Sequence, residues 1–278
     1  MQSLVHDLFL KADLMASIES LINFIKIAHA GQIDKGAGKP YWEHPFSVMQ
    51  SLPPFASDEL KQASLLHDAP EDTAFVRNGN ALVFDDKKFA ALDEVMRSAK
   101  RGVEIRLARE RNEPIPENTP TIRCSPELSA HTLDIVDGVT NEDYSAPADL
   151  NKDEAEKREL ANYQAHIIGL ANSRPENPDE LRLAEDRVLL KFTDMSQNVD
   201  RNRVIAIKDA KRVTRFANKY SKPFSALLAR TKEIAQKYGY ELEAETKFED
   251  DGQGNKRFYL SQPPRWRQKA NRPEPTLS

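Results

Sequence analysis

Apolar residues recur at three- and four-residue intervals through most of this chain, and that spacing constrains the fold more than any other feature. Leu4, Leu8, Ile18, Leu21, Ile22, Ile25 and Ala28 trace one amphipathic helix running to His29. The same period predicts helices over 46–51, 60–67, 86–111, 127–138, 152–172, 179–199 and 203–238. Pro53 and Pro54 break the chain and Ser57-Asp58 caps the helix that follows. Strand signals are confined to "ELEAETKF" and "KRFYL", which flank the turn-forming "EDDGQGN" and predict a small hairpin. The stretch 111–127, with its run of prolines, reads as a surface excursion. From Ser261 the chain is rich in Pro and Arg with little to bury, and reads as a flexible tail. The expected fold is therefore all-α, with a principal domain over 1–240, a β-hairpin over 241–260 and a flexible tail over 261–278.

Composition limits the function. An apolar fraction of 39% is enough for a real core. No window approaches the roughly 18 consecutive apolar residues of a membrane span, and "MQSLVHDLFLKADLM" is too polar for a signal peptide. A cytoplasmic protein with no membrane partner is expected. The lone Cys124 offers neither an intramolecular disulfide nor a thiolate metal motif, so any ion would be held by imidazole and carboxylate. A net charge of −4 argues against bulk nucleic-acid binding, and leaves room for a small phosphorylated ligand in a locally basic pocket.

Three places carry metal-type ligands: His44, the pair His67-Asp68, and Asp194. His67 and Asp68 close the apolar run Ala63, Leu65, Leu66, and Asp194 follows Val188, Leu189, Leu190 and Phe192. A carboxylate placed where a helix enters a core is costly unless it is paired or bound to a cation. A mixed nitrogen and oxygen set of this kind suits Mn²⁺, Fe²⁺ or Zn²⁺. Glu71 and Asp72 lie three and four residues beyond Asp68, about one helical turn away, within reach of water on such an ion. Pro70 lies between the two pairs and predicts a kink or an end to the helix there.

Five stretches in order resemble the Rel/Spo family of HD-type pyrophosphohydrolases, in particular its small alarmone hydrolases. They are "AHAGQ" with "GKPYWEHPFSV" (28–48), "LLHDAPEDT" (65–73), "IVDGVTN" (135–141), "LANYQAHIIGLA" (160–171) and "DRVLLKFTDMSQN" (186–198). The second and fifth are the most specific, and the similarity spans roughly residues 10–220. The resemblance implies an HD-domain helical bundle that removes the 3′-diphosphate of guanosine or adenosine tetra- or pentaphosphate alarmones, the chemistry of the stringent response, and releases pyrophosphate. It implies one Mn²⁺ on His44, His67, Asp68 and Asp194, with Glu71 and Asp72 as catalytic residues on the water. Substrate contacts are implied for Lys35, Tyr41, Asn198, Arg201 and Lys211. Counting from Gln32 instead of His44 puts Asp34, not Lys35, at the family's purine-packing arginine, which leaves the base open.

Relative to that family the chain carries an insertion over about 75–130, including the basic "KRGVEIRLARER". The stretch beyond Tyr220 is too short for a second catalytic domain, so alarmone synthesis is not expected. Other readings remain: another HD-type phosphohydrolase or phosphodiesterase, a hydrolase of RNA 3′ ends, or a non-catalytic nucleotide-sensing HD module. Pairing with an alarmone-synthesising toxin is compatible with the hydrolase reading.

Overall fold

The structure, a computed structural model of the chain, describes residues 18–34, 38–92, 124–140, 151–252 and 254–269. These residues are mostly helical, as the apolar spacing predicts. The chain divides into two compact units: Met1–Leu52 with Ala56–Asp143, and Pro53–Phe55 with Tyr144–Ser278.

The first unit contains α1 (18–28), α2 (Glu43–Ser51), α3 (Asp58–Leu66), α4 (Ala69–Asp72), β1 (Phe75–Asn78), β2 (Ala81–Phe84), α5 (Asp86–Ala91) and α6 (Ala130–Val139). Ser57 starts α3 as expected, its hydroxyl accepting from the Leu60 amide at 3.1 Å. Ser129 does the same for α6 through the Thr132 amide at 3.0 Å. Leu21 and Ile25 of α1, Leu65 and Leu66 of α3, and Leu133 and Val136 of α6 are all fully buried. Burying such side chains stabilises by about 1.5–3 kcal/mol each relative to exposure, so this core holds the end of α3 firmly in place.

The hairpin β1–β2 was not expected from the apolar spacing. It pairs Phe75 with Phe84 and Asn78 with Ala81, leaving Gly79-Asn80 as a two-residue turn with Gly79 at φ +59°. The dipeptide Gly79-Asn80 is a sequence signal for such a turn. The helix expected over 86–111 is helical at Asp86–Ala91 and turns extended at Leu92; its remainder lies outside the described residues.

The second unit contains α7 (Lys152–Asn172), α8 (Pro178–Asn198), α9 (Arg201–Ala206), α10 (Ala210–Lys237) and strands β3 (Tyr240–Glu243), β4 (Thr246–Asp250), β5 (Lys256–Leu260) and β6 (Arg265–Gln268). Asn151 and Glu154 form a capping box on α7. The single helix expected over 203–238 is two, because Asp209 accepts from the Lys211 and Arg212 amides and starts α10 afresh. The predicted hairpin is β4–β5, pairing Thr246 with Leu260. The segment from Ser261, expected as a tail, instead supplies β6, paired antiparallel to β3 with Leu242 opposite Trp266. The Trp266 ring lies 5.8 Å from Phe55 and 6.5 Å from Phe192, ring packing that the local Pro- and Arg-rich composition does not disclose. No helix among the described residues is long and apolar enough to cross a membrane.

Candidate metal centre

Backbone hydrogen bonds place His44. Ile33 and Pro40 form an isolated bridge, the Asp34 amide donates to Lys39 O at 2.8 Å, and the Tyr41 amide donates to Gln32 O at 2.9 Å. These contacts close the loop between α1 and α2 and set Tyr41 beside Gln32. The His44 amide then donates to Tyr41 O at 2.9 Å, which starts α2 and leaves His44 buried on it.

His67 and Asp68 follow directly on α3. Both keep right-handed helical backbone, at φ −58°, ψ −32° and φ −91°, ψ −11°. Pro70 takes an early position in α4, where its missing N–H is least costly. The helix ends at Leu66 and the short α4 follows, as one of the two expected outcomes, and the Asp72 amide still donates to Asp68 O at 2.9 Å. Thr73 ends the run: its backbone is extended and its hydroxyl donates to Ala69 O at 2.5 Å.

The ligand atoms of His44, His67 and Asp68 all lie within 4.8 Å of one another. His67 Nε2 is 3.2 Å from Asp68 Oδ1, and His44 Nε2 is 3.7 Å from Asp68 Oδ2. His67 Nδ1 lies 2.8 Å from Ser64 O, and a carbonyl oxygen only accepts, so the Nδ1 proton is the one engaged. In the neutral ring Nε2 then presents a lone pair to a carboxylate oxygen. Two acceptors facing each other at that distance repel unless a proton or cation lies between them. The donor set fits a divalent ion, and anchoring a ligand histidine through its other nitrogen is the usual outer support of such sites.

Around this group lies a second layer. Tyr41, expected as a substrate contact, donates its hydroxyl to Asp68 Oδ2 at 2.9 Å and also hydrogen-bonds the Asp72 side chain. His29 Nδ1 is 2.8 Å from Gln32 Oε1, and the Gln32 amide nitrogen donates to the backbone carbonyl of Asp72. Burial lowers the His29 imidazole from 6.5 to about 4. Desolvation, followed by the negative charges of Asp68 and Glu71, pushes Asp72 up from 3.8 to about 6. Glu71 and Asp72 both remain exposed on α4. Lys88 of α5 donates to Pro70 O at 2.5 Å, bringing an ammonium to the acidic turn.

Sequence reasoning gave no role to His29, Gln32 or Lys88. The first two belong to the quoted "AHAGQ" and could have been noticed for their three-residue spacing; for Lys88 a charged helix face carried no signal.

Asp194 belongs to the second unit. It is buried on α8, where Lys191 Nζ lies 3.3 Å from its Oδ2 and Asn198 donates to its Oδ1 at 3.0 Å. Asn198 is thus engaged with Asp194 along one helix face. Tyr220 of α10 is half-buried, and desolvation of its hydroxyl, with the Tyr163 hydroxyl and the Asp194 charge, pushes that hydroxyl well above the ordinary range. Arg201 begins α9, exposed, with its guanidinium hydrogen-bonded to the Tyr259 side chain. Lys211 is exposed in the first turn of α10. Lys35 lies outside the described residues.

Searches against protein-family models and against curated proteins find no match to this chain.

Proposed function

We propose that the chain is a metal-dependent hydrolase of the HD type that removes the 3′-diphosphate from guanosine or adenosine tetra- or pentaphosphate alarmones. The observation that carries this reading is the His67 side chain, locked through Nδ1 to Ser64 O so that Nε2 confronts Asp68 Oδ1 at 3.2 Å with His44 alongside. That arrangement asks for a cation, and the resemblance to the Rel/Spo hydrolases makes the ion Mn²⁺. A bound divalent ion supplies positive charge at phosphorus and a water acidified toward neutrality.

The chain's own residues do the rest. His44, His67 and Asp68 hold the ion, and the Tyr41 hydroxyl steadies Asp68. Asp72, lifted toward neutral pH by burial and by the charges of Asp68 and Glu71, is suited to accept and return a proton. Glu71 on the same turn orients the water. Asn198, Arg201, Lys35 and Lys211 are proposed substrate contacts on the strength of the resemblance alone.

The test is incubation of purified protein with ppGpp, ppApp, AMP and a cyclic dinucleotide, with Mn²⁺ or with chelator. Mn²⁺-dependent release of pyrophosphate is expected from the first two. Turnover that survives chelation, or release of monophosphate only, overturns the reading; the latter points to another HD phosphohydrolase. Metal binding with no turnover of any of the four points to a sensing module.

A further inference from the structure

His29 is buried at 1% exposure, and its Nε2 has no hydrogen-bond partner among the described residues. Which nitrogen carries the proton follows from its neighbours. The carbonyl of Asp72 only accepts, so the Gln32 atom facing it is the amide nitrogen, and Gln32 Oε1 is therefore the atom that meets His29. An amide oxygen accepts, so His29 donates from Nδ1. Nε2 is left as a bare acceptor in a buried site, a condition that destabilises the fold when nothing donates to it.

Such a group needs a donor, and its surroundings say which. The His29 ring lies 5.1 Å from the Tyr41 ring, whose hydroxyl donates to Asp68 Oδ2. The charges of Asp68, His67 and His44 all bear on it. Yet His29 falls outside the set whose ligand atoms approach within 4.8 Å of one another, which contains only His44, His67 and Asp68 among the described residues. A buried acceptor nitrogen that lies outside the ligand set, yet feels the charges of its members, is suited to accept from what the ion carries. We propose that His29 Nε2 accepts a hydrogen bond from a water held on the ion at His44, His67 and Asp68, so that His29 is a positioning residue for that water. Gln32 fixes the tautomer, and its bond to Asp72 O ties the water's acceptor to the turn that bears Glu71 and Asp72. This rests on the metal reading above but not on the substrate.

The experiment is long-range ¹H–¹⁵N NMR of histidine-labelled full-length protein at neutral pH, before and after addition of Zn²⁺ as a diamagnetic ion. His29 is assigned from the spectrum of His29→Asn, or of His29→Gln if the first variant fails to fold. Before the ion, His29 is expected with Nδ1 protonated and Nε2 bare. On Zn²⁺ addition, Nε2 of His44 and His67 should shift by the large amount typical of coordination, and Nε2 of His29 by the smaller amount typical of an accepted hydrogen bond. An Nε2-protonated His29, a His29 unmoved while the other two shift, or a coordination-sized shift on His29 each overturns the inference and leaves the metal reading standing. No shift at His44 and His67 overturns both.

Discussion

Replacing Asp72 with Asn should stabilise the metal-free protein, the reverse of what removing a charged side chain from a helix end usually does. In the fold Asp72 stands at about 6 against 3.8 for an ordinary aspartate, because burial and the neighbouring carboxylates of Asp68 and Glu71 oppose its ionisation. At roughly 1.4 kcal/mol per pH unit, that difference would weaken the fold by about 3 kcal/mol once the group is ionised. Asp72 keeps more than a third of its surface exposed, so solvent screening reduces the expected effect to about 1 kcal/mol. The sign follows from linkage. A carboxyl raised on folding favours the native state below its unfolded value, and that contribution is lost as pH rises through the folded value. Asp72→Asn should therefore match the parent protein at pH 4 and exceed it by about 1 kcal/mol at pH 7.5. Urea unfolding in chelator at both pH values reads this directly. A variant less stable than the parent at pH 7.5, or one whose advantage is equal at both pH values, refutes the argument that like charge and burial load this turn.

Three further outcomes are expected. Tyr41→Phe removes the donor to Asp68 Oδ2 and should lower Mn²⁺ affinity by about 10–100-fold in calorimetric titration; an unchanged affinity would show that the phenol does not support the ligand. Lys191→Met leaves the buried Asp194 carboxylate without the ammonium 3.3 Å away and should cost about 3 kcal/mol in urea unfolding, largely regained in Lys191→Met/Asp194→Asn; a double variant no better than the single one refutes the pairing. His29, lowered from 6.5 to about 4 by burial, contributes about 3 kcal/mol above pH 6.5 that is lost as pH falls toward 4. In the Asp72→Asn background, where the opposing carboxyl is gone, chelated protein should weaken steadily over that window, and flat stability between pH 6.5 and 4 would contradict it.

Much of the helical layout was legible because a helix buries a stripe, and a stripe writes a three- and four-residue period into the chain. Lys152–Asn172 and Pro178–Asn198 fall within a residue of the spans their spacing predicts. The hairpin over Phe75–Phe84 escaped because its strands are short; only Gly79-Asn80 announced it. Strand β6 escaped because its partner β3 is distant in sequence and its anchor Trp266 finds its aromatic neighbours only on folding.

At the site, sequence alone determined which residue types stand together. His67-Asp68 ahead of Glu71-Asp72 is a local pattern, and a short stretch with Pro70 near its helix start can be read from chemistry without coordinates. Only tertiary structure decided which nitrogen each histidine offers. Ser64 O and Gln32 Oε1 are the atoms that engage Nδ1 of His67 and His29, while Tyr41, from a separate loop, is what bridges Asp68 and Asp72. A residue's type is fixed by covalent identity, whereas its tautomer and hydrogen-bond partner depend on which acceptor the folded chain brings within three ångströms, and no periodicity encodes that.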